Sequence, residues 1–216
     1  MFGLILVLIL SYVLGSFPTA IITGKILKSI DIRDFGSGNA GATNVFRVLG
    51  WKASISVLII DIFKGFLPVF WLVNLIPDAN LNLEIRLYYQ ILIGLAAIAG
   101  HIWSIFAKFR GGKGVGTAAG VFLGLQPYPV LICLIVFIAI IIKTRYVSLG
   151  SITAALLLSI ILIVQKFILD VEVPIVMILL ALLLSILIII THRENIHRLV
   201  HGQENKISFS RKSVQP

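Results

Sequence analysis

Long apolar stretches separated by short basic segments dominate this chain and leave it few ways to fold. The run 178–190 is interrupted by a single polar residue, Ser185. Hydrocarbon offers no hydrogen-bond partners, so a chain crossing it must satisfy its own backbone as helices or as a closed barrel. The runs are continuous rather than alternating, which points to helices. Crossing a core of about 30 Å takes about 20 helical residues, and suitable stretches lie near 2–24, 53–75, 87–107, 128–143, 148–166 and 174–190. A shorter one, 115–126, is bounded by GGKG before it and by Pro127 and Pro129 after it. Composition agrees: 59% of residues are hydrophobic and 12% charged, with a mean hydropathy of +1.07. The stretch 2–24 has no basic n-region and no convincing cleavage site, so it is expected to be a retained span.

The net charge of +9 is distributed as orientation determinants are, between apolar runs, and not as a nucleic-acid face. Lys25, Lys28, Arg33, Arg47 and Lys52 follow the first run; Lys108, Arg110 and Lys113 follow the third. Lys143 and Arg145 come next, and Arg193, Arg198, Lys206, Arg211 and Lys212 follow the last run. The connections 76–86 and 166–173 carry one basic residue each, Arg86 and Lys166. The positive-inside rule then places the N-terminus outside and the C-terminus in the cytoplasm. Alternation requires 115–126 to cross as well, giving an all-α integral membrane protein with a seven-helix transmembrane bundle. One domain, 1–207, with a short basic tail, 208–216, is expected. No repeat between the halves suggests a transporter's inverted symmetry. The single cysteine, Cys133, rules out a disulfide framework.

Three polar segments fall on the cytoplasmic side and are expected to form one site. The first, GSGNAGATN at 36–44 followed by Arg47, has three glycines in six residues. Its backbone N–H groups can form an anion-binding concavity, with Arg47 gripping a phosphate bidentately. The plainer reading is an inter-helix loop whose Ser and Asn cap the next helix. The second, 110–117, has Gly112, Lys113 and Gly114 at its centre. It fails the nucleotide-binding pattern GxxxxGK[ST], because Gly114 stands where Ser or Thr should follow the lysine and no strand precedes it. A glycine turn, a lysine and a helix N-terminus still make a phosphate site; the plainer reading is a basic loop with a convenient turn.

The third segment runs from Thr191 to Lys206. His192 and Asn195, three apart, share a helical face, and His192 can act as a base or a phosphate donor near neutrality. A juxtamembrane segment attracted to anionic lipid is the alternative, accepted for Arg211 and Lys212. His192, His197 and His201 lack a carboxylate at metal-ligand spacing. Within the spans, Asp61 and Lys64 read as an ion pair pinning helix packing. Ser148 and Ser151 either cap the helix that follows Arg145 or line the site, and His101 either packs against its neighbours or lies at the rim. Trp51, Tyr88, Tyr89, Trp103 and Tyr146 read as an interfacial aromatic belt.

GSGNAGATNVFRVLG at 36–50, GGKGVGTA at 111–118, VSLGSITA at 147–154 and HRENIHRLVHGQENK at 192–206 together resemble the acyl-phosphate:glycerol-3-phosphate acyltransferases, the PlsY family of bacterial membranes. Gly116 departs where many members have Ala, and Arg110 where Lys also occurs. The resemblance implies a seven-span enzyme of the bacterial inner membrane with its N-terminus outside and its active site on the cytoplasmic side. It would transfer an acyl group from acyl phosphate to the 1-hydroxyl of glycerol 3-phosphate, giving lysophosphatidic acid and phosphate. It implies functional roles for Ser37, Arg47, Lys113, Ser151, His192 and Asn195, with Glu204 tied to the integrity of the site. Ser37, His192 and Asn195 are the expected catalytic residues; Gly38, Asn39, Asn44, Arg47, Gly112, Lys113, Gly114 and Ser151 are expected to bind substrate. No motif demands a cofactor or metal, and the expected partners are the two substrates and membrane lipid, with the protein a monomer. The soluble-type glycerolipid acyltransferases place an aspartate five residues after a histidine; positions 106, 197 and 206 are Phe106, His197 and Lys206. A transporter for a phosphorylated anion would show paired broken helices, and a purely structural bundle would leave the glycine-rich segments unexplained.

Overall fold

A computed structural model describes residues 2–80 and 82–208. The expected basic tail, including Arg211 and Lys212, lies from position 209 onward outside the described residues. Every regular element among the described residues is helical. The chain forms two compact units, the first running to Leu125 and the second starting at Gln126.

The first unit opens with α1 (Phe2–Ser16) and α2 (Thr19–Lys28). What reads in sequence as one run is broken at Phe17 and Pro18, because proline has no N–H to continue the ladder and its ring crowds the preceding turn. A 3-10 turn (Ile32–Asp34) and the glycine-rich loop lead to the short α3 (Ala42–Leu49), then to α4 (Trp51–Phe70). After two 3-10 turns, α5 (Leu83–Ile102) begins at Asn82, whose side chain accepts the Glu84 and Ile85 N–H groups at 2.7 and 3.2 Å. Glu84 in the first turn complements the helix dipole. A further turn (Ile105–Ala107) and the second glycine loop precede α6 (Val115–Leu125).

Two tight helix pairs organise this unit, and glycine makes both possible. A Cβ at Gly15 would overlap the Ala97 carbonyl, and one at Gly100 the Tyr12 carbonyl, joining α1 to α5. Likewise Gly65 faces the Thr117 carbonyl and Gly120 the Ile62 carbonyl, joining α4 to α6. In lipid, where apolar burial between helices drives little, such close backbone approach supplies the packing.

The second unit holds α7 (Pro127–Thr144), α8 (Val147–Phe167), α9 (Ile175–Thr191) and the short α10 (Arg193–Val200). Pro127 starts α7 where its missing N–H is harmless. Ser159 and Ser185 share a 3.0 Å hydrogen bond, and Ser185 also donates to the Ala155 carbonyl, fastening α9 to α8. The polarity is inverted relative to a water-soluble bundle: Ile135 is 68% exposed while Ser159 is 3% exposed. Residues 127–167 therefore present apolar side chains outward, as lipid-facing helices must.

Among the described residues five helices, counting α1–α2 as one, are long and apolar enough to cross a membrane. A sixth follows if α9 and α10, bent by 64°, count as one span. Helix α6 has 11 residues, about 16 Å at 1.5 Å per residue, half the thickness of a hydrocarbon core.

Candidate active site

The first unit brings two of the three polar segments together. The loop 36–44 is held by Asn44, which is 1% exposed at the start of α3. Its Oδ1 accepts the Ser37 N–H at 2.8 Å, and its Nδ2 donates to the Ile32 and Phe35 carbonyls at 2.9 and 3.0 Å. Gly36, at φ 63°, is left-handed, and a Cβ there would strike Asn44 Oδ1. The Gly38 N–H donates to the Phe35 carbonyl at 3.1 Å. The N–H groups of Ser37 and Gly38, expected to point at an anion, are thus turned inward, and the Ser37 side chain lies on the exposed rim. Nor does a side chain of this loop cap the next helix: Gly41 occupies the N-cap of α3 without a side-chain bond. Asn39 and Arg47 are half-buried, on the loop and on α3.

The second glycine loop closes over the end of α5. The Gly111 and Gly112 N–H groups donate to the Ile102 and His101 carbonyls at 3.0 and 3.1 Å, satisfying orphan acceptors of that helix. A Cβ built on Gly112 would overlap His101 Nε2 and lie 3.2 Å from the Ala40 carbonyl oxygen, so the two glycine-rich loops touch here. Arg33 adds a strut between the same regions: it pairs with Asp31 at 2.7 Å and donates to the Ala107 carbonyl at 3.0 Å. The Arg33 guanidinium, chiefly by hydrogen bonding, holds the Asp31 carboxyl below the usual range. Lys113 is half-buried, and Gly114, at φ 82°, turns the chain into α6. The amides of the first turn of α6 have no partner within the helix, which leaves them able to bind an anion.

In the second unit the organising group is Glu204, 6% exposed. Its Oε1 accepts from Ser148 Oγ at 3.0 Å and Asn195 Nδ2 at 2.7 Å, and its Oε2 from Arg198 Nε at 2.9 Å. Burial is the largest single influence on this carboxyl and opposes ionisation. The three hydrogen bonds and the Arg198 charge together outweigh it, holding the group below the usual glutamate value. Asn195 is therefore fixed by Glu204. His192, 3% exposed, sits at the bend between α9 and α10 rather than within a helix. The 64° bend from α9 falls at His192, which stands at the N-cap of α10 with Asn195 in that helix's first turn. His192 Nδ1 lies 2.8 Å from the Ile188 carbonyl, which can only accept, so Nδ1 carries the proton and Nε2 is the basic nitrogen. Ser148 and Ser151 do not cap α8; Ser148 reaches Glu204, and Ser151 donates to the Val147 carbonyl at 3.0 Å.

Sequence reasoning left His101 either packed against its neighbours or at the rim and Ser148 either a helix cap or a lining residue, and it did not single out Arg198 or Arg33 as partners of the site. A histidine inside an apolar run ten residues before GGKG was the available signal for His101.

A helical membrane chain with paired glycine-rich loops invites comparison with known proteins. The family model described as glycerol-3-phosphate acyltransferase matches residues 5–202. The chain belongs to the glycerol-3-phosphate acyltransferase family. A glycerol-3-phosphate acyltransferase of Chlorobium phaeobacteroides (strain BS1) is 42% identical, the match covering 97% of this chain and 98% of that one. One from Chlorobaculum tepidum is 40% identical over 96% of this chain and 97% of its own. Among solved structures, PlsY, an integral membrane glycerol 3-phosphate acyltransferase, in its glycerol 3-phosphate form superposes with a TM-score of 0.80 at 36% identity, covering 95% of this chain and 96% of that one. Its lysophosphatidic acid form gives the same score at 35% identity. Family membership makes the chain an acyltransferase and a multi-pass integral membrane protein of the bacterial PlsY type, with a place in phospholipid biosynthesis.

Proposed function

We propose that this enzyme transfers an acyl group from acyl phosphate to the 1-hydroxyl of glycerol 3-phosphate, yielding lysophosphatidic acid and inorganic phosphate. The observation that carries the reading is the meeting of the two glycine-rich loops at Gly112 and Ala40. Both substrates are phosphorylated, and a family member built on this pair of loops needs anion-binding elements for both. The Ser37 hydroxyl, Arg47, Lys113 and the first-turn amides of α6 supply donors of the right kind. Asn39, Gly38, Gly112 and Gly114 shape the backbone that carries them, and Asn44 locks it.

In this reading the hydroxyl oxygen attacks the acyl carbon, and the bond from that carbon to the phosphate oxygen breaks. Phosphate leaves with the electron pair, and the hydroxyl proton passes to a phosphate oxygen. An acyl phosphate is already activated, so positioning and stabilisation of developing oxyanion charge do most of the work. In the second unit His192 keeps the role of phosphate ligand or proton carrier through Nε2. Asn195 and Ser151 act as substrate contacts, with Glu204 holding Asn195 in place. The reading includes seven crossings of the bacterial inner membrane, an outside N-terminus, a cytoplasmic active side and a monomeric enzyme.

Purified protein given glycerol 3-phosphate with palmitoyl phosphate or palmitoyl-CoA tests the donor directly. Lysophosphatidic acid and stoichiometric phosphate are expected from palmitoyl phosphate alone; product from the CoA ester at a comparable rate would sink the donor assignment.

A further inference from the structure

Beneath the second glycine loop lies a polar cluster that the acyl-transfer reading does not use. Asp61 and Lys64, on successive turns of α4, are buried at 4% and 3% exposure and pair at 2.7 Å. Ionised groups within a span cost several kcal/mol by most measures and mark functional positions more often than not. Lys64 has a further structural task, since its ammonium donates to the Phe17 carbonyl at the α1–α2 break, which also accepts the Thr19 N–H. That bond explains the lysine; Asp61 and His101 reach elsewhere.

Asp61 Oδ1 lies 3.8 Å from His101 Nδ1, beyond hydrogen-bond range but close enough for charge to orient the ring. The opposite edge of the same imidazole, Nε2, fills the space where Gly112 would carry a Cβ. At the other end of the loop, a Cβ on Gly116 would lie 3.2 Å from the Asp61 Cβ. The cluster therefore underlies both flanks of Lys113, Gly114 and Val115: His101 under Gly112, Asp61 under Gly116. A glycine backbone is soft, and charge-assisted bonds to a phosphate weaken steeply with misplacement of the donors. What rests under the loop sets where its donors stand.

We propose that His101, oriented by the buried Asp61–Lys64 pair, is a positioning residue that sets the height of the Gly112–Val115 backbone and thereby its affinity for a phosphate group. The inference rests on the reading that this loop binds phosphate. The phosphate belongs to one of two substrates, and the kinetics below separate them.

Binding of inorganic phosphate to the purified protein is measured by calorimetry for wild type, His101→Leu, His101→Gln and Asp61→Asn, with KM for glycerol 3-phosphate and for acyl phosphate determined separately. His101→Leu, which fills space but cannot answer Asp61, is expected to weaken phosphate binding about tenfold and raise the KM of one substrate alike, with kcat within about threefold. The substrate whose KM moves is the one held at this loop. His101→Gln, still polar at the same reach, should recover most of the loss. Asp61→Asn should shift binding in the same direction by about threefold, and it carries the test if His101→Leu does not fold. A role confined to stability would lower kcat through the active fraction while leaving both KM values and the phosphate affinity unchanged, and that result overturns the proposal. So does a wild-type protein that binds no phosphate. A wild type that binds phosphate yet transfers no acyl group removes the acyl-transfer reading and leaves this one standing on the binding data.

Discussion

Asn44 shows how a single buried side chain can set a loop. Its amide makes three hydrogen bonds to backbone groups between Ile32 and Ser37, with no capacity spent on other side chains. Truncation to Ala takes the side-chain acceptor from the Ser37 N–H and one of two donors from each of the Ile32 and Phe35 carbonyls, which keep the Phe35 and Gly38 N–H groups, a loss of about 1–3 kcal/mol. Asn44→Ala is expected to lower both the thermal midpoint in detergent and turnover. Asn44→Asp should do at least as badly, because a carboxylate would face two carbonyl oxygens; an aspartate variant with wild-type midpoint would remove Asn44 from this role. His192 belongs to the same scale. Its fixed tautomer leaves Nε2 as the working nitrogen, and His192→Ala is expected to cut kcat by about 100-fold or more. Near-full turnover in that variant would take His192 out of the reaction.

At the scale of elements, the α4–α6 pair carries the second glycine loop, because α6 begins where that loop ends. Gly120 admits no Cβ against the Ile62 carbonyl, whereas a Cβ on Gly124 meets only side chains, Val69 at 3.2 Å and Phe66 at 3.7 Å. Gly120→Val should therefore force the helices apart and lower the midpoint by the equivalent of roughly 1–3 kcal/mol or more, with Gly124→Ala a mild control. Equal shifts in the two variants would deny the close approach its importance. The Glu204 hub links α8, α10 and the segment after α10 by charge rather than by packing. Its folded pKa is depressed, so its stabilisation is fully present above the unfolded value of about 4.3 and is lost as pH falls through the folded one. Acid unfolding followed by circular dichroism should show wild type losing stability in that window, and Glu204→Gln should flatten the curve there. A Gln variant with the wild-type acid limb would place the titration elsewhere.

At the scale of the molecule, α6 decides the number of crossings. Charge alternation makes it a crossing, while 11 residues make it half a crossing by length. The lone Cys133 allows a cysteine-free background. In it, cysteines at Lys108 and at Tyr128 should be labelled from opposite faces of sealed vesicles, Lys108 from the cytoplasmic side. Labelling of both from one face would make α6 re-entrant and reduce the crossings below seven.

Solvent exclusion explains what could be read from the chain alone. Apolar runs long enough for a bilayer and basic connections are local signals, and membrane helices follow from them because lipid punishes every exposed backbone group and every misplaced charge; the family and its acyl-transfer class came instead from the resemblance of the polar motifs, two of them glycine-rich. The α1–α2 break was also legible in principle, since proline acts on its own turn. The hydrogen-bond partners of Ser37 and Gly112 were not legible: an N–H has the same formula whether it faces an anion or a helix carbonyl, and only the Asn44 amide and the folded backbone of α5 claimed these. His101 under Gly112, Asp61 under Gly116 and Ser148 on Glu204 join residues up to 56 positions apart. Such contacts depend on how whole helices pack, and tertiary structure alone decided them.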